Sequence, residues 1–413
     1  MKKKVIIVGG GAAGLMAAGR AAEAGAQVIV LEKMRQPGRK ICISGKGRCN
    51  ITNIAEVREF IGHFGKTGNF LRQAFARFFS DDLLRFFEAN GLKVVKERGG
   101  RVFPASGKAA DVVAVLLKWV EKCGVEIRRS ATVEKLLISD GRIVGVVAGG
   151  KEIHCDALII ATGGASYRKT GSTGDGYRLA EAAGHRVVPI RAALVPLETA
   201  GNLAAKMAEL NLRNIKVNMY ADGKKRREEF GELVFAKFGV TGPVILTLSG
   251  EVVDRLSKGE KISLSIDLKP ALDEKKLDAR LLRDFESRRD EPLSSLLRGL
   301  LPREMVPVCL ELTGLSPERT AIDISAKERR RLLNFLKDFR FEVTRPRPLD
   351  EAIVTAGGVD TRELDPKTME SKIIKGLYLT GELLDIQADT GGYNLQAAFS
   401  TGWLAGGAAA SGE

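Results

Sequence analysis

Residues 1–32 read MKKKVIIVGGGAAGLMAAGRAAEAGAQVIVLE, and this stretch leaves the chain few folds to choose from. Val5 to Val8 is a short apolar run, followed by Gly9, Gly11 and Gly14 spaced as G-x-G-x-x-G. Ala12 to Ala24 carries small residues at helical spacing, Gly25 ends it, and Val28 to Leu31 is a second apolar run closed by Glu32. Strand, glycine turn, helix and strand in that order make a βαβ unit of a parallel sheet. Gly9 permits the tight turn, Gly11 lets the backbone approach a pyrophosphate, and Gly14 lets helix and strand pack closely. The free amides at the helix start, together with the helix dipole, favour phosphate charge. Glu32, about twenty residues on, is spaced to accept ribose hydroxyls. With strand, helix and terminal acid all present, the stretch reads as a dinucleotide clamp.

Lys2 to Lys4 ahead of an alanine-rich run also has the look of a secretory leader. Glycines interrupt its apolar core, however, and no uninterrupted run approaches the ~18 residues of a membrane span. The five cysteines (42, 49, 123, 155 and 309) form no C-x-x-C pair, and their number is odd. Reduced thiols in a cytoplasmic protein are therefore expected, with no disulfide framework and no zinc site. His63, His154 and His185 are scattered, so no metal is expected, and no membrane partner either.

The segment after Glu32, KMRQPGRKICISGKGRCNITN, holds Lys33, Arg35, Arg39, Lys40, Lys46 and Arg48 with no acid. Gly38, Gly45 and Gly47 give it backbone freedom, and Ser44, Asn50, Thr52 and Asn53 add hydrogen-bonding side chains. Wrapping a phosphate-bearing cofactor explains cations, glycines and amides together. Helices are then expected over 69–79 and 81–90, the latter with Ser80 as a plausible cap, and over 108–122. A β-meander is expected over 125–155. Asp156 to Ala161 runs into Thr162-Gly163-Gly164, and Thr173-Gly174-Asp175-Gly176 opens another helix.

From about Val188 the pattern changes to alternating segments, then to a charged helical stretch over 273–338. Pro346 and Pro348 mark its end. The expected organisation is a cofactor domain in two parts, 1–188 and 351–413, interrupted by an inserted domain over 189–350. In the final part a strand precedes Thr380-Gly381-Glu382. Asp389-Thr390-Gly391-Gly392-Tyr393-Asn394-Leu395-Gln396 then opens a long helix. A helix opening at paired glycines aims amides at something electron-rich.

One dinucleotide motif at the start and a second glycine-led helix near the end fit FAD better than NAD, because FAD needs one clamp for its pyrophosphate and a separate site for its flavin. GGGAAGLMAA…E, GRKICISGKGRCNITN, ATGGASY and TGELLDIQADTGGYNLQAAFSTG together resemble the YhiN/BaiN family of FAD-dependent oxidoreductases. The resemblance spans the chain, and the Lys40–Asn53 and Thr380–Gly402 stretches are its specific parts. It implies an α/β fold: a glutathione-reductase-like FAD-binding Rossmann domain with an inserted β-barrel plus helical domain. It also places Gly9, Gly11, Gly14 and Glu32 along the adenosine half. Lys33, Arg39, Lys40, Ser44, Gly45, Arg48, Cys49 and Asn50 fall along pyrophosphate and flavin. Thr162, Gly163, Gly381, Glu382, Asp385, Gly391, Gly392, Tyr393, Asn394, Leu395 and Gln396 complete the set. Lys46 and Ile43 depart from it, standing where many relatives have glycine and methionine.

Disulfide reductases differ: they carry C-x₄-C, whereas six residues separate Cys42 from Cys49, and no second G-x-G-x-x-G is present. Fumarate reductases share the ATGG and TGDG turns, yet their arginine and histidine clusters are not recognisable here. The resemblance implies two substrate classes, the uridine C5=C6 bond of 23S ribosomal RNA and conjugated double bonds of steroid-like molecules. It also implies NAD(P)H as a transient reductant and Cys49 as the first candidate proton donor. A flavin-binding protein without catalysis is a third class.

Charge favours RNA among these. Net charge is +14, and residues 1–188 alone carry 31 basic and 17 acidic side chains. Residues 223–227 (GKKRR) and Arg329 to Arg331 are the candidate phosphate contacts.

Overall fold

The computed structural model describes residues 2–411 and divides into two units, residues 1–192 with 349–413, and residues 193–348. At the centre of the first unit lies a five-stranded parallel sheet. Its order is Leu377–Leu379, Ala157–Ile160, Lys4–Val8, Gln27–Glu32 and Glu126–Arg129. Val5, Ile6 and Ile7 are wholly buried, as expected of a central strand covered on both faces. The pattern of the opening stretch therefore became strand Lys4–Val8, helix Ala12–Glu23 and strand Gln27–Glu32.

The helix Ala12–Glu23 packs along the final helix, Tyr393–Ser411, at backbone distance. A Cβ on Gly402 would lie 2.3 Å from the Ala13 carbonyl oxygen, and one on Gly406 2.4 Å from that of Ala17. Glycines four residues apart thus let the two helices touch along one face.

Two sequence expectations change here. The helix expected over 69–79 is a 3₁₀ turn, Gly65–Leu71, followed by a short helix, Arg72–Arg77. Gly68 presses on the backbone of Ile61, and Phe78 turns extended to stack on Trp403 at 4.4 Å between centroids. The meander starts later than expected, at Val133 rather than Val125. Glu126–Arg129 joins the parallel sheet instead, leaving Val133–Ser139, Arg142–Ala148 and Lys151–His154 as the antiparallel set.

In the second unit, six strands close into a barrel in the order Leu197–Thr199, Gly239–Thr241, Lys224–Ala236, Asn211–Ala221, Ile262–Asp267 and Phe339–Pro346. Along Asn211–Ala221, Ile215, Val217, Met219 and Ala221 point inward and alternate with Lys216, Asn218 and Tyr220. The register slips between Leu212 and Ile215, where Asn214 takes φ +54°. The helices Glu274–Ser287, Met305–Thr313 and Ala326–Lys337 share the barrel's apolar core. No helix among the described residues is long and apolar enough to cross a membrane. No group of three or more His, Cys, Asp or Glu among them could hold a metal ion.

Candidate functional site

The glycines of the opening motif have different reasons to be glycine. Gly9 takes φ +103°, and a Cβ there would meet the Ala161 carbonyl oxygen at 2.6 Å. A Cβ on Gly14 would lie 1.9 Å from the Gly9 carbonyl oxygen. Gly11, the residue before the helix, has nothing within 4 Å of a built Cβ. Its surroundings are open, which is what a phosphate approaching the helix amides requires.

Glu32 is nearly buried and braces the loop it faces. Its Oε2 accepts from the Gly10 amide at 2.6 Å and its Oε1 from the Met34 amide at 2.7 Å. Each carboxylate oxygen keeps a further lone pair for a hydroxyl. Lys33 is committed elsewhere in the unit: its Nζ donates to Thr173 Oγ1 at 2.5 Å and Asp175 Oδ2 at 2.6 Å. Arg39 is exposed at the start of the short helix Arg39–Ile43.

Lys40 joins the two ends of the chain. Its Nζ donates to Glu382 Oε2 and to Ser166 Oγ, both at 2.6 Å. Glu382 Oε1 accepts from the Thr355 amide at 2.8 Å and from Ser166 Oγ at 3.2 Å. Thr355 Oγ1 in turn accepts from the amides of Ala165 and Ser166, beside Thr162 and Gly163. Gly163 takes φ +72°, and Gly164 leaves 2.5 Å between a built Cβ and Thr355 Oγ1. Gly381, at φ +69°, donates its amide to Thr401 Oγ1. The Asp385 amide donates to the Val359 carbonyl oxygen.

The loop Ser44–Asn50 is a tight one. Gly45, Lys46, Gly47 and Cys49 all have positive φ. Ser44 Oγ donates to the Ile41 carbonyl oxygen, and Arg48 lies 4.2 Å over the Phe103 ring while pairing with Glu97 at 2.5 Å. Cys49 has no exposed surface, and burial pushes its thiol up to about 12.

The second glycine-led turn is equally constrained. Gly391 and Gly392 take φ +144° and +99°, and a Cβ on Gly392 would lie 2.4 Å from the Thr52 carbonyl oxygen. Asn53 Nδ2 donates to the Gly391 carbonyl oxygen at 3.1 Å. Asn394 folds its amide back onto Ala388. Thr52 Oγ1 donates to Gln396 Oε1, Gln396 Nε2 to Ser400 Oγ, and Ser400 Oγ to the Phe78 carbonyl oxygen. Gln396 thus spends its side chain in a buried relay, while Leu395 is half-buried beside it.

Three polar side-chain atoms in these same segments are buried without a hydrogen-bond partner among the described residues: Asn50 Oδ1, Thr380 Oγ1 and Gln387 Oε1. Buried polar atoms are seldom left orphaned. Their concentration beside both glycine-led turns, with the open space at Gly11, fits a polar cofactor lying across them.

His63, Ser166, Thr355 and Gln387 were not anticipated. His63 Nδ1 lies 3.2 Å from Asp389 Oδ2, and its ring stacks on Tyr393 at 3.9 Å and 21°. Tyr393 also packs edge-on against Phe60, and burial raises its hydroxyl above the ordinary tyrosine range. The glycines flanking the G-H-F-G sequence at 62–65 are the signal that could have marked His63. Ser166 follows Gly163-Gly164 by one intervening residue, and Thr355 precedes Gly357-Gly358, inside the strand Val354–Val359, by one.

The HI0933-like protein Rossmann domain family matches residues 3–408. A 3-dehydro-bile acid delta(4,6)-reductase from Clostridium scindens is 33% identical over 399 residues, covering 96% of each chain. A ribosomal RNA dihydrouridine synthase from Escherichia coli is 32% identical, covering 95% of this chain and 94% of that one. Among solved structures, the 3-ketosteroid delta1-dehydrogenase of Sterolibacterium denitrificans superposes over the full length of both chains with TM-score 0.54 at 15% identity. The FrdA chain of E. coli quinol fumarate reductase gives TM-score 0.51 at 19% identity, covering 100% of this chain and 70% of that one. These two likenesses show the fold. The chain belongs to the HI0933-like Rossmann family, the YhiN/BaiN-like group of FAD-dependent oxidoreductases.

Proposed function

We propose that this chain reduces uridine to dihydrouridine in 23S ribosomal RNA, with FAD as the resident cofactor and NAD(P)H as the reductant. The observation that carries the choice of substrate is charge. Residues 1–188, which hold the dinucleotide clamp and the cation-rich loop, have 31 basic side chains against 17 acidic. A steroid or bile acid carries at most a single side-chain carboxylate, which gives little reason for that excess, whereas a polyanion does.

Gly9, Gly11, Gly14 and Glu32 would hold the adenosine and pyrophosphate. Lys40, Asn50, Glu382 and the turn Gly391–Gln396 would hold the ribityl and flavin. The bound cofactor supplies the hydride. The chain must then supply a proton to the neighbouring carbon and support negative charge on the carbonyl oxygen. Cys49 keeps its proton throughout the physiological range, as a donor must, but its thiol is wholly buried. His63 is the more accessible donor. With Asp389 accepting from Nδ1, its Nε2 is left to carry and release the proton.

The second reading is reduction of a conjugated bond in a small molecule, favoured by the 33% identity to the bile-acid reductase. The test is to supply the purified protein with NADPH and 23S rRNA from a host lacking its own copy of the gene. Dihydrouridine mapped at a defined position supports the RNA reading. Unmodified rRNA, with turnover of a steroid 4-en-3-one instead, establishes the second.

A further inference from the structure

Cations matter for RNA binding only where no acid already neutralises them. Each of Arg329, Arg330 and Arg331 has an acid partner: Asp278 at 2.8 Å, Glu274 at 2.9 Å and Glu328 at 3.6 Å. In the GKKRR hairpin, Lys225 pairs with Glu228 and Arg227 with Glu229, each at 2.6 Å. The arginine run is therefore largely discharged by its own neighbours and the hairpin half so, since Lys224 and Arg226 stay exposed with no ion pair among the described residues.

A different cluster is not. Thr52–Asn53, Arg101–Pro104 and Val94–Lys96 form a small antiparallel sheet in the cofactor unit, with Asn53 opposite Arg101 and Phe103 opposite Val95. The turn Arg98–Gly100 connects two of these strands. Lys93, Lys96, Arg98 and Arg101 are all exposed, and none makes an ion pair among the described residues. Glu97 is the one acid among residues 91–110; Arg48 pairs with it, and Arg101 feels its charge without a direct ion pair. The Ser44–Cys49 loop lies on the same sheet. A Cβ on Gly45 would be 3.6 Å from Phe103, and exposed Lys46 follows directly. Exposed Val95 and Ile54, at 40% and 42%, put apolar surface between the charges.

This platform also touches the candidate cofactor site. Asn53 Nδ2 donates both to the Gly99 carbonyl oxygen at 2.9 Å, inside the basic turn, and to that of Gly391 at 3.1 Å. We infer that the sheet bearing Lys93, Lys96, Arg98 and Arg101, with Lys46 beside it, is the surface that grips the RNA backbone. It sets the phosphates next to the turn at Gly391, so that a base turned out of its stack reaches the cofactor. The inserted barrel and helices are not the principal RNA contact. The inference rests on the RNA reading above and assigns its binding surface.

The test compares flavin-loaded wild type with Lys93→Gln/Lys96→Gln/Arg98→Gln/Arg101→Gln, and with Lys224→Gln/Lys225→Gln/Arg226→Gln on the insert. Affinity for a 23S rRNA fragment is measured from 50 to 300 mM salt. Each lost phosphate contact lowers the slope of log affinity against log salt by about 0.7 to 0.9. The first variant should lose about three units of slope and at least tenfold in affinity at low salt, with its flavin absorption spectrum unchanged. The hairpin variant should keep the wild-type slope. If the first variant misfolds, acetylation footprinting of wild type decides instead: RNA should protect Lys93 and Lys96 but not Lys224. Wild type that fails to bind the fragment refutes the RNA reading itself. RNA binding by wild type with an unchanged slope in the first variant overturns this surface and leaves that reading standing. So does a variant that loses only its binding to phosphatidylglycerol vesicles, which would mark the surface as a membrane contact.

Discussion

The Lys40 ammonium and the Glu382 carboxylate, 342 positions apart in the chain, meet at 2.6 Å and are both largely shielded from water. The pair closes the cofactor unit around Ser166 and Thr355. Removing one partner leaves the other's charge poorly compensated, which costs more than the pair itself contributes. Lys40→Met and Glu382→Ala are each expected to destabilise the first unit by about 1–3 kcal/mol, read from urea midpoints. The double variant should cost less than the two singles added together, and strict additivity would mean that the two residues act independently.

Gly11 and Gly14 should separate folding from cofactor retention. Gly11→Ala meets nothing within 4 Å, so the apoprotein's stability should change by less than about 0.5 kcal/mol. Its flavin, however, should be lost on gel filtration. Gly14→Ala drives a Cβ into the Gly9 carbonyl oxygen and should destabilise the apoprotein by about 1–3 kcal/mol or more. Equal melting temperatures for the two apoproteins would contradict this division.

The two proton-donor candidates predict different variants and pH profiles. If His63 delivers the proton, His63→Gln slows substrate reduction by the pre-reduced enzyme by about 10²-fold, with flavin reduction by NADPH unaffected. Asp389→Asn should produce a smaller loss in the same step. If Cys49 is the donor, Cys49→Ala is the damaging variant, and the wild-type rate stays flat with pH until it nears the thiol's value of about 12. Wild-type Cys49 should also resist iodoacetamide in the folded protein, since its thiolate is scarce and its sulfur unexposed.

Acid should weaken the helical part of the insert first at the start of Ala326–Lys337. There Glu328 accepts from Arg319, from the Ser325 hydroxyl and from the Ser325 amide, which hold its carboxyl down at about 2. A carboxyl whose value is depressed on folding contributes stability above its unfolded value of about 4.3, lost as pH falls towards the folded one. The urea midpoint of the insert should therefore drop between about pH 4.5 and 2. In Glu328→Gln that drop should be shallower, and an identical pH dependence would show that the cap contributes nothing.

The glycine-led turns were legible because backbone contact dictates them. No side chain fits at Gly14 or Gly392, so the requirement is written into the sequence as glycine. The parallel strands were legible for a similar reason, since burial on both faces leaves an unbroken apolar run. Lys40 with Glu382, Thr52 with Gln396 and His63 with Asp389 could not be read that way. Each joins residues more than 300 positions apart, and nothing local distinguishes these partners from other side chains of the same type. In one dimension His63 is one of three scattered histidines, because ring stacking on Tyr393 leaves no periodic trace. Arg329 to Arg331 misled in the opposite direction. A run of arginines looks like a ligand patch in one dimension, while in the fold its acids arrive from Glu274, Asp278 and the neighbouring Glu328.

The contact of Gly402 and Gly406 with Ala13 and Ala17 has a consequence for biosynthesis. The helix Ala12–Glu23 has its packing partner far downstream, in Tyr393–Ser411, and the sheet strand Leu377–Leu379 is nearly as late. Residues 193–348 are contiguous and have their own core, so they can close while the nascent chain is still growing. The helix Ala12–Glu23 stays uncovered until Tyr393–Ser411 has been synthesised. Truncations that remove only the final helix should therefore leave a folded insert attached to an amino-terminal segment that cannot hold flavin.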